Sequence, residues 1–331
     1  MAEQYQFRGG VHPAERKELS ADKSICEAPL LDKYTVPLHQ HIGAPANLLV
    51  DKKDTVKRGQ MIAEPGAFIS AAVHAPTSGT VKAIDTCSGP TGAQLRAIEI
   101  ESDGEDTPSD ELSPMNNWKE ADPEDLIGRI RDAGIVGMGG AAFPTNVKLS
   151  PPPSKPVDTL IINGSECEPC LTADHRLMLE QTEQIVTGTR ILAHALGIKT
   201  VYIAVEANKP DAFQLFREKC RDTEVGVQQL KVRYPQGAEK QLIYAITGRK
   251  VPTGGLPMDV GAVVQNVGTV NAVTEAVLQG KPLYERTITV TGTPVANPGN
   301  FRVRIGTPVR KALELAGGIR HETRKLILGG P

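Results

Sequence analysis

Apolar and polar residues alternate in short runs through the first third of the chain, and Pro or Gly interrupts them at regular intervals. This spacing is typical of short strands and predicts a small β barrel or sandwich over residues 34–100. The runs lie at residues 36–38, 47–50, 51–62 and 73–81. Residues 1–33 are polar and irregular, which indicates an N-terminal arm, and the acidic, Ser- and Pro-rich residues 101–121 indicate a linker.

From residue 122 onward, apolar positions recur at helical spacing and alternate with short, wholly apolar runs. Asp122 followed by Pro123 predicts the start of a helix. Further helices are predicted at 174–197, 210–220 and 239–247, and strands at 160–162, 200–205 and 232–234. Alternating strands and helices imply a parallel α/β sheet, so we predict one α/β domain over residues 122–284.

The last part of the chain, residues 285–331, has a different pattern. Strands are predicted at 287–291 and 301–305 and a helix at 307–315, which indicates a small β-grasp unit. The apolar run at 326–328 predicts another strand just before the sequence stops. Domains rarely stop at a new apolar strand, so we expect this chain to be part of a longer one.

Bulk properties narrow the class of protein. A length of 331 residues suggests two or three domains, and a net charge of −2 argues against nucleic acid and anionic membranes as partners. No apolar stretch approaches the roughly 18–20 residues that span a bilayer, and the N-terminus lacks the apolar region of a signal peptide. The five cysteines are odd in number and scattered, which favours free thiols in a reducing compartment.

A glycine-dense run at residues 137–148 is the clearest candidate for ligand binding. Glycine lets backbone N–H groups approach a phosphate or a flat ring, because no Cβ intervenes, and Lys148 adds a point charge. The apolar run 159–162 ends beside Asn163, at the carboxyl end of a predicted strand, where open α/β sheets bind ligands. The two segments together predict a nucleotide or flavin site; the alternative for the glycines is a tight turn.

Short motifs in a fixed order extend this prediction over nearly the whole chain. They are Gly9–Pro13, His74–Val81, the glycine run, Cys167–Pro169 with Leu171–Asp174, Tyr234–Gly237, Gln265–Thr269 and Gly329–Pro331. Together they resemble the C subunits of the Rnf (Rsx) ion-translocating electron-transport complexes. The central part is also similar to the 51 kDa flavin- and NADH-binding subunit of respiratory complex I.

The resemblance implies three modules: an N-terminal barrel-sandwich hybrid, a Rossmann-like FMN domain and a C-terminal β-grasp domain of the soluble-ligand-binding type. In the family, a ferredoxin-like segment with two [4Fe–4S] clusters follows. Because this sequence has no C-x-x-C-x-x-C run, we expect such clusters only beyond Pro331.

The resemblance also assigns roles to individual residues. FMN contacts are implied for Gly137, Gly139, Lys148, Asn163, Glu166, Tyr234, Gly237, Asn266 and Thr269. NADH contacts are implied for Gly140, Phe143, Glu168 and Glu239. Each residue has a plainer alternative: Lys148 as a solvated surface lysine, the acids as exposed loop carboxylates, and Asn266 with Thr269 as an ordinary helix cap.

Cys167 and Cys170 form a C-x-x-C pair, a spacing found in redox pairs and in half of a zinc site. No second Cys/His pair at metal-binding spacing occurs, so we expect no metal site within this chain, and a redox role of the pair stays open. His39, His41 and His74 are expected to be structural.

The function implied by the resemblance is hydride exchange between NAD(H) and FMN, followed by one-electron transfer to iron–sulfur clusters. The expected partners are the other subunits of a membrane electron-transport complex and an iron–sulfur partner subunit, with the chain peripheral on the cytoplasmic face of a bacterial inner membrane. Two alternatives remain open: a non-catalytic docking subunit related to the first subunit of sodium-translocating NADH:quinone reductase, and a microcompartment cobalamin reductase.

Overall fold

The computed structural model describes residues 4–320 and 322–329, which form four β-sheets and eight α-helices. The strands are β1 Gln4–Tyr5, β2 Ile25–Glu27, β3 Lys33–Pro37, β4 Asn47–Leu48, β5 Thr55–Val56, β6 Met61–Glu64, β7 Val73–His74, β8 Gly79–Ser88, β9 Gln94–Ser102, β10 Thr159–Gly164, β11 Thr200–Glu206, β12 Val225–Leu230, β13 Ala262–Asn266, β14 Glu285–Val290 and β15 Gly299–Arg304. The helices are α1 Pro123–Asp132, α2 Thr145–Lys148, α3 Ala173–Glu180, α4 Thr182–Leu196, α5 Pro210–Lys219, α6 Glu239–Thr247, α7 Val267–Gln279 and α8 Val309–Leu315, with a 3-10 helix at Pro257–Val260.

The central sheet is parallel, in the order β1-β12-β11-β10-β13. Strand β10 lies inside it and is buried along almost its whole length, as expected of a strand that helices cover on both faces. The register places Asn163 of β10 directly beside Asn266 of β13. Two predicted ligand-binding residues therefore meet at one carboxyl edge of the sheet.

The N-terminal arm is shared between two sheets rather than packed on its own. Strand β1 pairs with β12 at the edge of the central sheet, and β2 pairs with β15 in a small sheet of order β14-β15-β2. Between these strands the arm crosses the loop that follows β10, where the backbone N–H of Cys170 donates to the carbonyl of Glu15 at 2.8 Å.

The β-rich N-terminal third consists of two small sheets, β3-β9-β8-β5 and β4-β6-β7, that enclose one core. Tyr34, Val36, Ile62, Ile98 and Ile100 are completely buried in that core. Tyr34 and Val36 alternate with more exposed neighbours on β3, and Ile98 and Ile100 flank the more exposed Glu99 on β9, so one face of each of these strands packs inward. The small C-terminal sheet has a separate core.

Three predicted elements differ from the structure. The helix predicted at 174–197 is two helices, because the backbone leaves helical geometry at Gln181. The strand predicted at 232–234 lies earlier in the sequence, as β12. Its glycine and two glutamines have low strand propensity, so the sequence pattern did not predict a strand there. Pairing with β11 decides its conformation. The strand predicted at 326–328 is wrong: within the described residues these leucines and the isoleucine are exposed and unpaired.

Asp122 caps α1 as predicted, because its carboxylate accepts from the N–H of Glu124 at 2.9 Å and Pro123 is the first helical residue. The longest helix, α4, has 15 residues. Within the part of the chain that the structure describes, no helix combines the length and apolar character needed to cross a membrane.

Candidate functional site

A cavity of about 990 Å³ opens between the carboxyl edge of the central sheet and the strand β14. Ligand cavities are generally about 300–1,000 Å³, so this one is large enough for a cofactor together with a second ligand. Eight of the predicted site residues line it: Gly139, Gly140, Asn163, Glu166, Glu168, Tyr234, Gly237 and Asn266. They come from four separate segments of the sequence, and the register of β10 with β13 brings two of them, Asn163 and Asn266, side by side.

The glycine loop is held as a tight turn against the start of α7. The N–H of Gly137 donates to the carbonyl of Phe143 at 2.9 Å and closes the turn. The N–H of Met138 donates to the hydroxyl oxygen of Thr269 at 2.9 Å, and Thr269 is fully buried. Thr269 therefore supports the loop from behind, and the turn itself projects Gly139 and Gly140 into the cavity.

The two glycines at the tip of this loop have different surroundings. A Cβ on Gly139 would lie 2.8 Å from Nδ2 of Asn266, so the loop touches that side chain with no room for a larger residue. A Cβ on Gly140 would meet no described atom within 4 Å. Gly139 thus fixes the distance between the loop and the sheet, while Gly140 leaves open space above it.

Asn266 connects three parts of the cavity wall. Its Oδ1 accepts from the N–H of Gly268 at 2.8 Å and caps α7, and its Nδ2 donates to Asp174 at 2.6 Å. The N-terminus of α7, with its partial positive charge, therefore faces the cavity and favours an anionic group there. Burial raises the pKa of Asp174, which lines the same wall.

The loop after β10 supplies two carboxylates. Glu166 accepts from the backbone N–H of Asp174 at 2.7 Å, at the start of α3, and Glu168 accepts from the hydroxyl of Tyr234 at 3.1 Å. Burial raises the pKa of Glu166 to about 7, and the neighbouring Asp174 acts in the same direction, although Lys17 and Lys209 oppose it. Glu166 is therefore poised between its acid and its carboxylate near neutral pH.

Asn163 fixes the opposite end of this loop. Its Nδ2 donates to the carbonyl of Gly237 at 2.9 Å, and its Oδ1 accepts from the N–H of Ser165 at 3.1 Å. A Cβ on Gly237 would lie 3.2 Å from Cβ of Ser165 and 3.3 Å from Sγ of Cys167, so glycine permits this close approach. The short side chain of Ser165 is consistent with the same tight packing.

Five predicted site residues do not line the cavity: Gly137, Phe143, Lys148, Glu239 and Thr269. Gly137, Phe143 and Thr269 shape the glycine loop instead. The ammonium of Lys148 donates to the Glu239 carboxylate and, at 3.2 Å, to the carbonyl of Val264. Lys148 and Glu239, assigned to different ligands from the sequence, thus form one ion pair.

Several cavity residues were not predicted from the sequence. Asp174, Asn271 and Arg286 line the wall, and within the described residues the buried Oδ1 of Asn271 has no hydrogen-bond partner. The Arg286 guanidinium donates to the carbonyl of Met138 and so joins β14 to the glycine loop. Asp174 is the last residue of the motif at 171–174. Acidic residues are common in the first turn of a helix, so the sequence around Asp174 did not mark it as a cavity residue.

Among the residues that the structure describes, no group of three or more His, Cys, Asp or Glu side chains is arranged to hold a metal ion. Cys167 and Cys170 are free thiols. Burial raises the pKa of Cys167, which keeps it in the unreactive thiol form at neutral pH.

Comparisons with protein-family models divide the chain in three. Residues 5–105 match the RnfC barrel sandwich hybrid domain, residues 130–275 match the Nuo51 FMN-binding domain, and residues 287–331 match the SLBB domain. The predicted fold class, a barrel-sandwich hybrid followed by a Rossmann-like FMN domain and a β-grasp domain, is thereby confirmed.

The chain is also similar to crystal structures of an NAD+-reducing [NiFe]-hydrogenase. The air-oxidised and H2-reduced forms each superpose with a TM-score of 0.51, at 23% and 22% identity. Each match covers 62% of this chain but only 41% or 42% of the hydrogenase chain. At this identity the similarity concerns the fold.

Two curated relatives match over almost the entire chain. The C subunit of the proton-translocating ferredoxin:NAD(+) oxidoreductase complex of Clostridium ljungdahlii is 49% identical over 98% of this chain and 71% of its own length. The C subunit of the Na(+)-translocating complex of Acetobacterium woodii is 44% identical over 98% of this chain and 74% of its own length. The resemblance found in the sequence motifs is confirmed, and the chain belongs to the family of C subunits of ion-translocating ferredoxin:NAD(+) oxidoreductase (Rnf) complexes.

Proposed function

We propose that this chain is the FMN-dependent, NAD(H)-reacting subunit of a membrane-associated, ion-translocating ferredoxin:NAD oxidoreductase. The observation that carries the proposal is the cavity in which an open glycine loop faces the N-terminus of α7. Bound FMN would supply hydride exchange with NAD(H) and single-electron exchange with a further acceptor. The protein itself has to hold and orient two ligands and keep water from the reacting groups.

The residues present fit such a cofactor. The open space at Gly140 and the close approach of Gly139 to Asn266 form a shallow cradle for a flat ring. The unpartnered Oδ1 of Asn271, among the described residues, and the N-terminus of α7 offer a hydrogen-bond acceptor and a site for an anionic group. Gly139, Asn163, Glu166, Tyr234, Gly237 and Asn266 would hold the flavin directly.

The five predicted residues that do not line the cavity act one layer further out in this proposal. Gly137 and Thr269 fix the glycine loop, and Lys148 with Glu239 fixes the start of α6 against β13. Gly140 and Glu168 line the part of the cavity assigned to NAD(H), and Phe143 supports the turn below it.

The location and electron path follow from the same proposal. We place the subunit on the cytoplasmic face of the membrane, held there by the other subunits of the complex. We also place the [4Fe–4S] clusters that accept electrons outside residues 1–331, since this sequence lacks a C-x-x-C-x-x-C run.

We propose the same domain limits that the sequence pattern predicts. They are 1–33 for the arm, 34–100 for the barrel-sandwich domain, 101–121 for the linker, 122–284 for the FMN domain and 285–331 for the β-grasp domain.

The proposal is tested by the colour of the purified protein and its response to NADH. After reconstitution, the chain should contain about one non-covalent FMN, identified after denaturation, and anaerobic NADH should bleach its absorbance. Gly139→Trp places an indole in the cradle and should abolish flavin binding. A colourless wild-type protein, even after incubation with FMN, would contradict the proposal and favour the docking subunit. Stoichiometric iron and sulfide would contradict the placement of the clusters.

A further inference from the structure

We propose that Lys17 of the N-terminal arm is a positioning residue for NAD(H) exchange, because its ammonium sets the conformation of the loop at residues 165–171. This loop, called here the acidic loop, carries Glu166 and Glu168 into the cavity. The inference rests on the proposed function and adds a residue from a distant part of the sequence to that site.

The ammonium of Lys17 lies inside the acidic loop and donates to three of its carbonyls. The acceptors are Glu166 at 3.0 Å, Glu168 at 2.9 Å and Leu171. A lysine ammonium has three N–H donors, so these carbonyls use all of them. The Glu166 carboxylate is 3.9 Å away and adds attraction between opposite charges. Only 11% of the Lys17 side chain is exposed, so water competes little with these contacts.

The acidic loop needs this support because its backbone is unfavourable. Glu166 and Cys170 have φ angles of +45° and +69°, in the left-handed region that residues other than glycine rarely adopt. The surrounding contacts have to hold such a conformation. Lys209 holds one end of the loop by donating to the carbonyl of Ser165 at 2.7 Å, and Lys17 holds three carbonyls further along it.

The arm is itself fixed where it crosses the loop. Val11 and Tyr234 exchange two backbone hydrogen bonds of 2.9 Å, and the Asn208 amide donates to the Glu15 carboxylate at 2.7 Å. Glu15 in turn accepts from the N–H of Cys170 at 2.8 Å through its carbonyl. Lys17 therefore directly follows a segment of the arm that hydrogen bonds fix to Tyr234, to Asn208 and to the acidic loop itself.

A second cavity, of about 190 Å³, lies beside Lys17 and makes a chemical rescue feasible. Its wall includes Lys17, His12, Glu15 and Glu206. In Lys17→Ala, a small alkylammonium has space to enter there and donate to the same carbonyls. Tetramethylammonium has the charge but no N–H group, so it separates hydrogen bonding from charge alone.

The experiment compares Lys17→Ala with Lys23→Ala in the full 331-residue chain. Lys23 belongs to the same arm, but its side chain is 56% exposed, and its ammonium lies 3.9 Å from the carboxylate of Asp22, which is also exposed. For Lys17→Ala, assayed with excess FMN because the acidic loop also carries the flavin-contacting Glu166, we expect a roughly tenfold higher KM for NADH. Hydrogen exchange should accelerate selectively in residues 165–171. Propylammonium, but not tetramethylammonium at equal ionic strength, should lower the KM. Lys23→Ala should match wild type in all of these.

The outcomes distinguish this inference from the proposed function. Equal KM and equal exchange in the two variants would overturn the role of Lys17. A wild-type protein without flavin would overturn the proposed function, and the exchange comparison would still decide whether Lys17 holds the loop. Where Lys17→Ala does not fold, Lys17→Met keeps most of the apolar stem, and the same comparison of exchange and KM applies.

Discussion

Glu166 shows how strongly the surroundings of a single residue determine its chemistry. Its carboxylate is only 5% exposed, and it accepts backbone hydrogen bonds that favour the charged form. Burial nevertheless outweighs these bonds and the nearby Lys17 and Lys209, so the pKa rises to about 7. A group of this kind changes charge near neutral pH, next to the cavity assigned to flavin.

We expect stability to depend on pH through Glu166. The pKa of the folded protein lies above that of the unfolded chain, so the folded state binds more protons between about pH 4.5 and 7. The resulting stabilisation is fully present below this window and is lost as pH rises through it. Urea denaturation from pH 4.5 to 8 should show a decline on the order of 1–3 kcal/mol that is clearly smaller in Glu166→Gln. Equal pH profiles in the two proteins would refute this explanation.

The neighbouring glycines permit a matched pair of substitutions. Gly139→Ala forces a Cβ to within 2.8 Å of the Asn266 amide and should disturb its bond to Asp174, so FMN affinity should fall by roughly tenfold. Gly140→Ala adds a methyl group in open space and should retain FMN but weaken NADH binding. Flavin fluorescence and NADH titration measure the two effects. Equal losses of FMN affinity in both variants would show that the loop faces the cavity differently.

At the scale of the elements, the acidic loop depends on a buried ion pair at the junction of β11 and α5. Lys209 and Glu206 have side chains only 1% exposed, and their charged atoms are 3.0 Å apart. Lys209 also donates to Asn208 and to the carbonyl of Ser165. Burial raises the pKa of Glu206, whose Oε1 has no partner within the described residues.

Removing only the cation from this pair should be costly. Lys209→Met leaves the Glu206 carboxylate buried without the Lys209 ammonium. The free energy of unfolding, measured by urea denaturation, should therefore fall by roughly 3–5 kcal/mol. The double variant Lys209→Met/Glu206→Leu removes both charges and should recover part of the loss, since no unpaired carboxylate remains. If the double variant is less stable than the single one, an unpaired buried carboxylate is not the cause of the loss in Lys209→Met and this reasoning is wrong.

At the scale of the whole molecule, charged residues connect the three modules. Asp106 accepts from Arg304 at 2.9 and 3.1 Å and pairs with Arg58, so it joins the β-rich third to the C-terminal sheet. The buried ring of Tyr284 has three cations within 6 Å of its centroid, at distances of 5.2, 5.7 and 5.9 Å. This network continues to Glu285, which lines the main cavity.

We expect Asp106→Ala to lower the free energy of unfolding by about 1–2 kcal/mol, because two partly buried guanidinium groups lose their shared carboxylate. Asp85→Ala is the matched control, since that carboxylate is exposed and accepts from the N–H of the adjacent Thr86. Urea denaturation measures the free energy of unfolding of the two variants, and 1 M NaCl should reduce the difference between them because salt screens the ion pairs. Equal stability of the two variants would mean that Asp106 does not hold the modules together.

Features that depend on neighbouring residues could be predicted from the sequence, whereas features that depend on distant segments could not. The cap at Asp122 and the strand β10 depend on neighbouring residues, and both were predicted correctly. The strand β12 depends on pairing with β11, and its position was predicted wrongly. Likewise, no local pattern indicated that Lys148 pairs with Glu239, which lies 91 positions away.

The sequence by itself determined the order of the modules, the family and the presence of a glycine loop near the end of a buried strand. These features are encoded in short motifs and in the spacing of apolar residues. Only the tertiary structure decided which side chains meet: Asn163 beside Asn266, and Lys17 against Glu166, which lies 149 positions later. The same packing excludes water from Glu166, and its raised pKa follows from that burial, which no single segment of the sequence specifies.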